Sequence, residues 1–242
     1  HRRRYLLGRE THGLMNYPFR TAALAWLRGG DASDFRRDME EIRENYPPAA
    51  FYSGLNILGT HDTPRLLTML GAARTPESKD DRATYRLSPE ELDMGLARLR
   101  LGALLLYSFP GSPTVFYGDE AGMQGFEDPL NRGTYPWGQE DSSLLAYFRQ
   151  LGALRKQRVS LQCGDIGYLY GGGHERWDAA AGAVHPLGGS AGQGRPDWTT
   201  LLRPEWDAAA DPPPRRRGAA GVIVSRETIT GDKCIRKKRC FT

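Results

Sequence analysis

Residues with usable chemistry gather in three short stretches of this 242-residue chain. His61 and Asp62 stand together directly after an apolar run, Asp119 and Glu120 follow another, and Asp128 and Arg132 lie in a polar loop. An imidazole beside a carboxylate at the end of a buried parallel strand suits a reactive centre, because barrel enzymes collect catalytic groups from strand ends and the loops that follow. The pair also has a local reading: Asp62 or Thr63 ahead of Pro64 would cap a helix, with His61 a hydrogen-bonded turn residue. Asp128 and Arg132 suit recognition of hydroxyl groups, since a planar guanidinium pairs well with a carboxylate; a loop-stabilising ion pair is an equal expectation. Asp119 and Glu120 read first as loop anchors. Tyr17, Phe19, Tyr117, Phe126 and Trp137 offer aromatic faces for stacking, with core burial the better expectation for Phe19 and Tyr117.

Metal and redox chemistry find no footing. The three cysteines, Cys163, Cys234 and Cys240, form no CxxC pair and have no histidine cluster nearby, so neither a zinc site nor a disulfide framework is expected. A reduced cytoplasmic setting is the default. No carboxylate cluster has calcium-loop spacing, and neither metal nor cofactor is expected.

The elements that must position these residues alternate short apolar runs with amphipathic helical patterns over residues 13–158, the signature of βα units on a parallel sheet. Strands are expected within 13–19, 51–58 and 113–117. Helices are expected over 21–27, over 34–45 where Phe35, Met39, Ile42 and Tyr46 recur on one face, over 66–70 with Pro64 at a first helical position, and over 144–154. The clearest helix follows Ser88, whose spacing to Glu91 makes a capping box ahead of the stripe Leu92, Leu96, Leu99, Ala103 and Leu106. The long polar loop 119–141 has the length of a functional loop. No apolar run approaches the ~20 residues of a membrane helix.

Beyond Tyr170 the periodicity fails, and only 221–225 reads as a strand. Residues 172–242 carry 12 Lys/Arg against 8 Asp/Glu, and the remainder 21 against 21, so the net charge of +4 is a property of the tail. Without aromatic interleaving or a binding fold, Arg215–Arg217 and Lys237–Arg239 read as a solvated tail and not as a nucleic-acid surface.

Four motifs carry a family resemblance. NILGTHDTPR at 56–65 resembles the strand-seven motif of the α-amylase family of glycoside hydrolases; MNYPFR at 15–20 resembles its strand-six segment, particularly in the neopullulanase and cyclomaltodextrinase branch. GSPTVFYGDEAG at 111–122 is similar to the strand-eight motif, and DPLNRGTYPW at 128–137 to the loop after it. The family's usual Asn or Ser ahead of the HD pair is replaced by Gly59 and Thr60.

The resemblance implies strands six to eight of a (β/α)8 barrel over residues 1–160, with 161–242 a remnant of a C-terminal β domain or a disordered or frame-shifted tail. It implies Asp62 as the carboxylate that favours an oxocarbenium-like transition state, His61, Asp128 and Arg132 as substrate-binding residues, and α-glucans as substrates of a retaining hydrolase. The nucleophile and proton donor of such enzymes come from strands four and five, so the chain is expected to begin after them and to be inactive alone. Glu10 resembles no donor motif. A homodimeric parent is a further expectation, and a non-catalytic relative such as an amino-acid transporter heavy chain is the alternative.

Overall fold

The computed structural model describes residues 2–164 and four short strand segments at 166–168, 175–178, 183–186 and 222–224. After a 3-10 turn at Arg2–Leu6, strand β1 (Met15–Asn16) passes directly into helix α1 (Tyr17–Leu27). Asn16 makes that junction: its Oδ1 accepts from the Phe19 N–H at 3.1 Å, capping the helix from the last residue of the strand. Helix α2 (Ala32–Asn45) is capped by Asp31 and buries Phe35, Met39 and Ile42, as their spacing predicts. Trp26 of α1 stacks on Phe35 at 5.4 Å between centroids.

Residues 51–58 do not form one strand. Helix α3 (Pro48–Ser53) occupies the first part and strand β2 (Leu55–Ile57) the second. Pro47 and Pro48 preset a helical start, Gly54 ends the turn, and Phe51 packs edge-on to Phe109 at 6.0 Å. Apolar and aromatic content alone does not separate a buried strand from a buried helical turn.

Helix α4 (Leu66–Gly71) follows, then α5 (Lys79–Thr84) and α6 (Pro89–Ser108). No residue of α5 is buried, so it presents no apolar period to read; Ser78 starts it by accepting from the Asp81 N–H. The capping box on α6 forms on both sides, and Leu99, Ala103 and Leu106 are buried while Leu92 and Leu96 pack partly buried against the core. Helices α4 and α6 meet through two glycines: a Cβ on Gly71 would stand 2.5 Å from the Glu91 carbonyl oxygen, and one on Gly95 would stand 3.1 Å from the Gly71 Cα. Strand β3 (Ser112–Thr114), a long loop, and helices α7 (Ser142–Gln157) and α8 (Val159–Cys163) complete this part. Arg155 of α7 donates to the Tyr107 carbonyl at 2.7 Å, tying that helix to the end of α6.

Strands β1, β2 and β3 form one parallel sheet in that order, with Asn16 opposite Asn56 and Asn56 opposite Pro113. Asn16 Nδ2 donates to Asn56 Oδ1 and Asn56 Nδ2 donates to the Pro110 carbonyl, both at 2.9 Å, so two buried amides bond in series across the sheet. The α/β reading with a parallel sheet and covering helices holds. In the tail, β4 (Ile166–Tyr168) pairs antiparallel with β7 (Val222–Val224), and β5 (Glu175–Asp178) with β6 (Ala183–Pro186). Strand β7 falls on the expected 221–225; β5 and β6 were not legible as strands, and the other tail expectations lie outside the described residues. Cys163 is disulfide-bonded, although the cysteine pattern gave no expectation of a disulfide framework. Among the described residues no helix is long and apolar enough to cross a membrane.

Asn56→Leu keeps most of the volume but removes the partner of the Asn16 Nδ2 donor and of the Pro110 carbonyl, both buried. It is expected to lower stability by roughly 2–6 kcal/mol, at about 1–3 per stranded group, read as a fall in the urea midpoint.

Candidate active site

Because the three strands run parallel, their C-terminal ends open on one edge of the sheet. Tyr17 follows β1, residues 58–62 follow β2, and residues 115–119 follow β3. The Asp62 carboxylate meets side chains from two of these ends: His61 Nε2 lies 3.0 Å from its Oδ1, and the Tyr17 hydroxyl reaches its Oδ2 at 3.5 Å. The side chains of His61 and Asp62 remain 55% and 57% exposed, so both are open to a ligand.

The capping reading of Asp62 is not what forms. Helix α4 begins at Leu66, and its N-cap, Arg65, makes no side-chain capping bond, so Pro64 stands before the cap and not at a first helical position. The turn closes on itself instead, with the Thr63 N–H donating to the Thr60 carbonyl at 3.4 Å and the Asp62 N–H to Thr60 Oγ1 at 3.2 Å. That hydroxyl holds the Asp62 backbone, and the carboxylate is left to other partners.

Beneath the rim lies a buried ion pair. Arg65 and Asp119 have side-chain exposures of 0% and 3%, with Arg65 Nη1 3.9 Å from Asp119 Oδ1. The guanidinium donates to the Tyr117 carbonyl and sits 4.4 and 4.5 Å from the ring centroids of Phe116 and Tyr117. Gly59 is obligatory here, since a Cβ would stand 2.0 Å from Asp119 Oδ2. Gly118, at φ +87°, would put a Cβ 2.2 Å from Met123 Sδ. Burial pushes the Asp119 carboxyl up to about 7, and attraction to Arg65 together with a bond from the Leu66 N–H offset this only in part. Asp119 is therefore an anchor, as its strand-end position predicts. Glu120 accepts from the Gly118 N–H at 2.9 Å and serves the same turn.

The loop after β3 returns to the Asp62 turn. Asn131, fully buried, donates from Nδ2 to the His61 carbonyl at 2.7 Å and the Thr63 carbonyl at 2.8 Å. Asp128 and Arg132 pair with each other, Nε to Oδ1 at 3.1 Å, with both side chains about half exposed. Among the described residues neither forms a hydrogen bond or ion pair with His61 or Asp62; Asn131, between them in sequence, makes that link. Arg82 pairs with Glu127 at the foot of the loop.

Of the aromatics, Phe19 is fully buried as expected and Phe126 packs on Tyr85 in the core. Tyr117 departs from the expected burial: it is 42% exposed, with its ring over Arg65 and its hydroxyl donating to the Gly133 carbonyl at 2.9 Å. A partner at each end of the ring holds it at the surface. Trp137 is 82% exposed beside Tyr135. Among the described residues no group of three or more His, Cys, Asp or Glu could hold a metal. The residues that sequence reasoning missed are Asn131 and Arg65; both sit inside motifs it singled out, but their partners lie in other stretches of the chain.

No family model matches the chain. An amylopullulanase of Thermoanaerobacter thermohydrosulfuricus is 36% identical over 180 residues, covering 69% of this chain and 12% of that protein. A cyclomaltodextrinase of Geobacillus thermopakistaniensis (strain MAS1) is 34% identical over 169 residues, covering 68% of this chain and 25% of that protein. Among solved structures, cyclic α-maltosyl-(1→6)-maltose hydrolase from Arthrobacter globiformis, in complex with cyclic α-maltosyl-(1→6)-maltose, superposes with a TM-score of 0.58 at 27% identity over 72% of this chain and 35% of that one. The chain thus spans an eighth to a third of the length of these relatives.

The pH dependence of stability reports on Asp119. Between about pH 4 and pH 7 the folded chain keeps the Asp119 proton that the unfolded chain has lost, so the contribution of this group is fully present below pH 4 and is lost as pH rises to 7. Urea denaturation across this range is expected to show a loss on the order of a few kcal/mol, and Asp119→Asn is expected to flatten it.

Proposed function

The homologues of this chain are members of the α-amylase family of glycoside hydrolases, matched over part of its length, and from that premise we propose that it supplies the sixth to eighth strand-helix units of a (β/α)8 catalytic barrel. The whole protein, on this reading, hydrolyses α-glucosidic bonds in maltooligosaccharides, cyclodextrins or pullulan with retention of configuration. Residues 1–160 belong to the barrel and 161–242 to a C-terminal appendage.

One observation carries the proposal: Asp62 stands at the C-terminal edge of a parallel sheet with its carboxylate half open to solvent, touched by His61 and Tyr17 and not used as a helix cap. Cleavage of a glycosidic bond develops positive charge on the sugar ring, and an anion held beside it stabilises the transition state more than the ground state. His61, already at hydrogen-bonding distance from that carboxylate, would donate to a hydroxyl of the same sugar. Asp128 and Arg132, exposed and paired, would bind hydroxyls further along the chain. Retaining cleavage also needs a nucleophile and an acid about 5–5.5 Å apart, which the proposal assigns to strands four and five of the barrel. The non-catalytic alternative is not favoured, since these relatives bear enzyme names.

In the full-length parent, Asp62→Asn is expected to lower kcat on a cyclodextrin by about 10²-fold or more with the circular dichroism spectrum unchanged. A fully active variant would return Asp62 to a structural role. The 242-residue chain alone is expected to release no reducing sugar from starch or cyclodextrin; turnover by pure material would show that the further carboxylates are not needed.

A further inference from the structure

Among the described residues, the backbone of the Asp62 turn is held from another segment by the side chain of Asn131. Both hydrogens of the Asn131 amide are engaged, one by the carbonyl of His61 at 2.7 Å and one by that of Thr63 at 2.8 Å. These are the carbonyls of the residues before and after Asp62. The amide can face only one way, since a flip would set Oδ1 against two carbonyl oxygens with no hydrogen between them. Its own place is set independently of the turn it holds. Asn131 lies in the 3-10 turn Leu130–Arg132, where the Leu130 and Arg132 N–H groups donate to the Glu127 and Pro129 carbonyls. That turn packs so closely on Gly125 that a Cβ there would stand 2.3 Å from the Leu130 carbonyl oxygen, and the Gly125 carbonyl in turn accepts from the Arg65 N–H at 2.9 Å.

We infer that Asn131 is a positioning residue for Asp62: by fixing the carbonyls before and after it, the buried amide sets the direction in which the exposed carboxylate leaves the rim. The inference rests on the role given to Asp62 above. Asn131 itself, buried and with both donors occupied, touches no substrate. A simple loop staple would tie any two carbonyls of the turn; this one straddles the residue proposed to meet the sugar.

The test is steady-state kinetics of the full-length parent on maltoheptaose with Asn131→Leu and Asn131→Asp, which match asparagine in size and remove both donors. A misplacement of about 1 Å costs about 10²-fold in rate, so kcat is expected to fall roughly 30- to 100-fold with KM within about threefold. Asp62→Asn runs in parallel. If it abolishes turnover while both Asn131 variants keep kcat within about threefold, or lose activity only through KM, the inference is overturned and the reading of Asp62 stands; if Asp62→Asn stays active, that reading fails and takes the inference with it. Should the Leu and Asp variants lose their cooperative melt, Asn131→Ser and Asn131→Ala decide: serine, keeping one donor, must exceed alanine in kcat by about fivefold at equal Tm, and equal values overturn the inference.

Discussion

A guanidinium with none of its side chain in water holds the working edge of this sheet together. Arg65 leaves the turn after β2, lies against the rings of Phe116 and Tyr117, donates to the Tyr117 carbonyl and faces Asp119 at 3.9 Å. Taking a charge out of water costs several kcal/mol unless partners surround it, so the loops after β2 and β3 must sit where they do or leave that cation unpaired. The pair is a weak source of net stability, and three of its polar atoms, Arg65 Nε and Nη2 and Asp119 Oδ1, have no hydrogen-bond partner among the described residues. The pair is closely surrounded: a Cβ on Gly59 would stand 2.0 Å from Asp119 Oδ2, and one on Gly118 would stand 3.1 Å from Arg65 Nη1.

From that anchor outward the rim becomes progressively more open. Asp119 and Arg65 are dry, the Asn131 amide is buried with its donors turned toward the Asp62 turn, and His61, Asp62, Asp128 and Arg132 are half in water. A rigid interior and a solvated tip suit a carboxylate that must meet a polar, hydrated ligand in a fixed orientation. The parallel sheet makes the arrangement economical, since every strand delivers its following loop to the same edge.

Much of this was legible from residue order. The stripe of α6 with its Ser88–Glu91 box and the α2 face of Phe35, Met39 and Ile42 formed as read, because each is a local pattern repeated over three or more turns; α7 buries Leu144, Phe148 and Leu151 while Leu154, at its end, is exposed. Where the pattern was shorter than that it misled. Residues 51–53 turned out helical because two prolines outweighed their strand-like composition, and α5 passed unnoticed because it buries nothing. Tyr117 was assigned to the core by its type, yet it stays at the surface because its ring covers Arg65 and its hydroxyl finds Gly133.

The chain order by itself determined the long helices α2, α6 and α7, the succession of strand ends and the four motifs that marked Asp62, His61, Asp128 and Arg132 as the residues to watch. Whether Asp62 caps a helix or points outward was open until the fold placed Thr60 under its N–H and started α4 at Leu66. Only the tertiary structure brought Asn131 to a turn seventy residues away and shut Asp119 from water beside Arg65. Capping and periodicity act over a few residues and are written locally; burial, charge pairing and the direction of a side chain depend on groups that meet only when the strands are side by side.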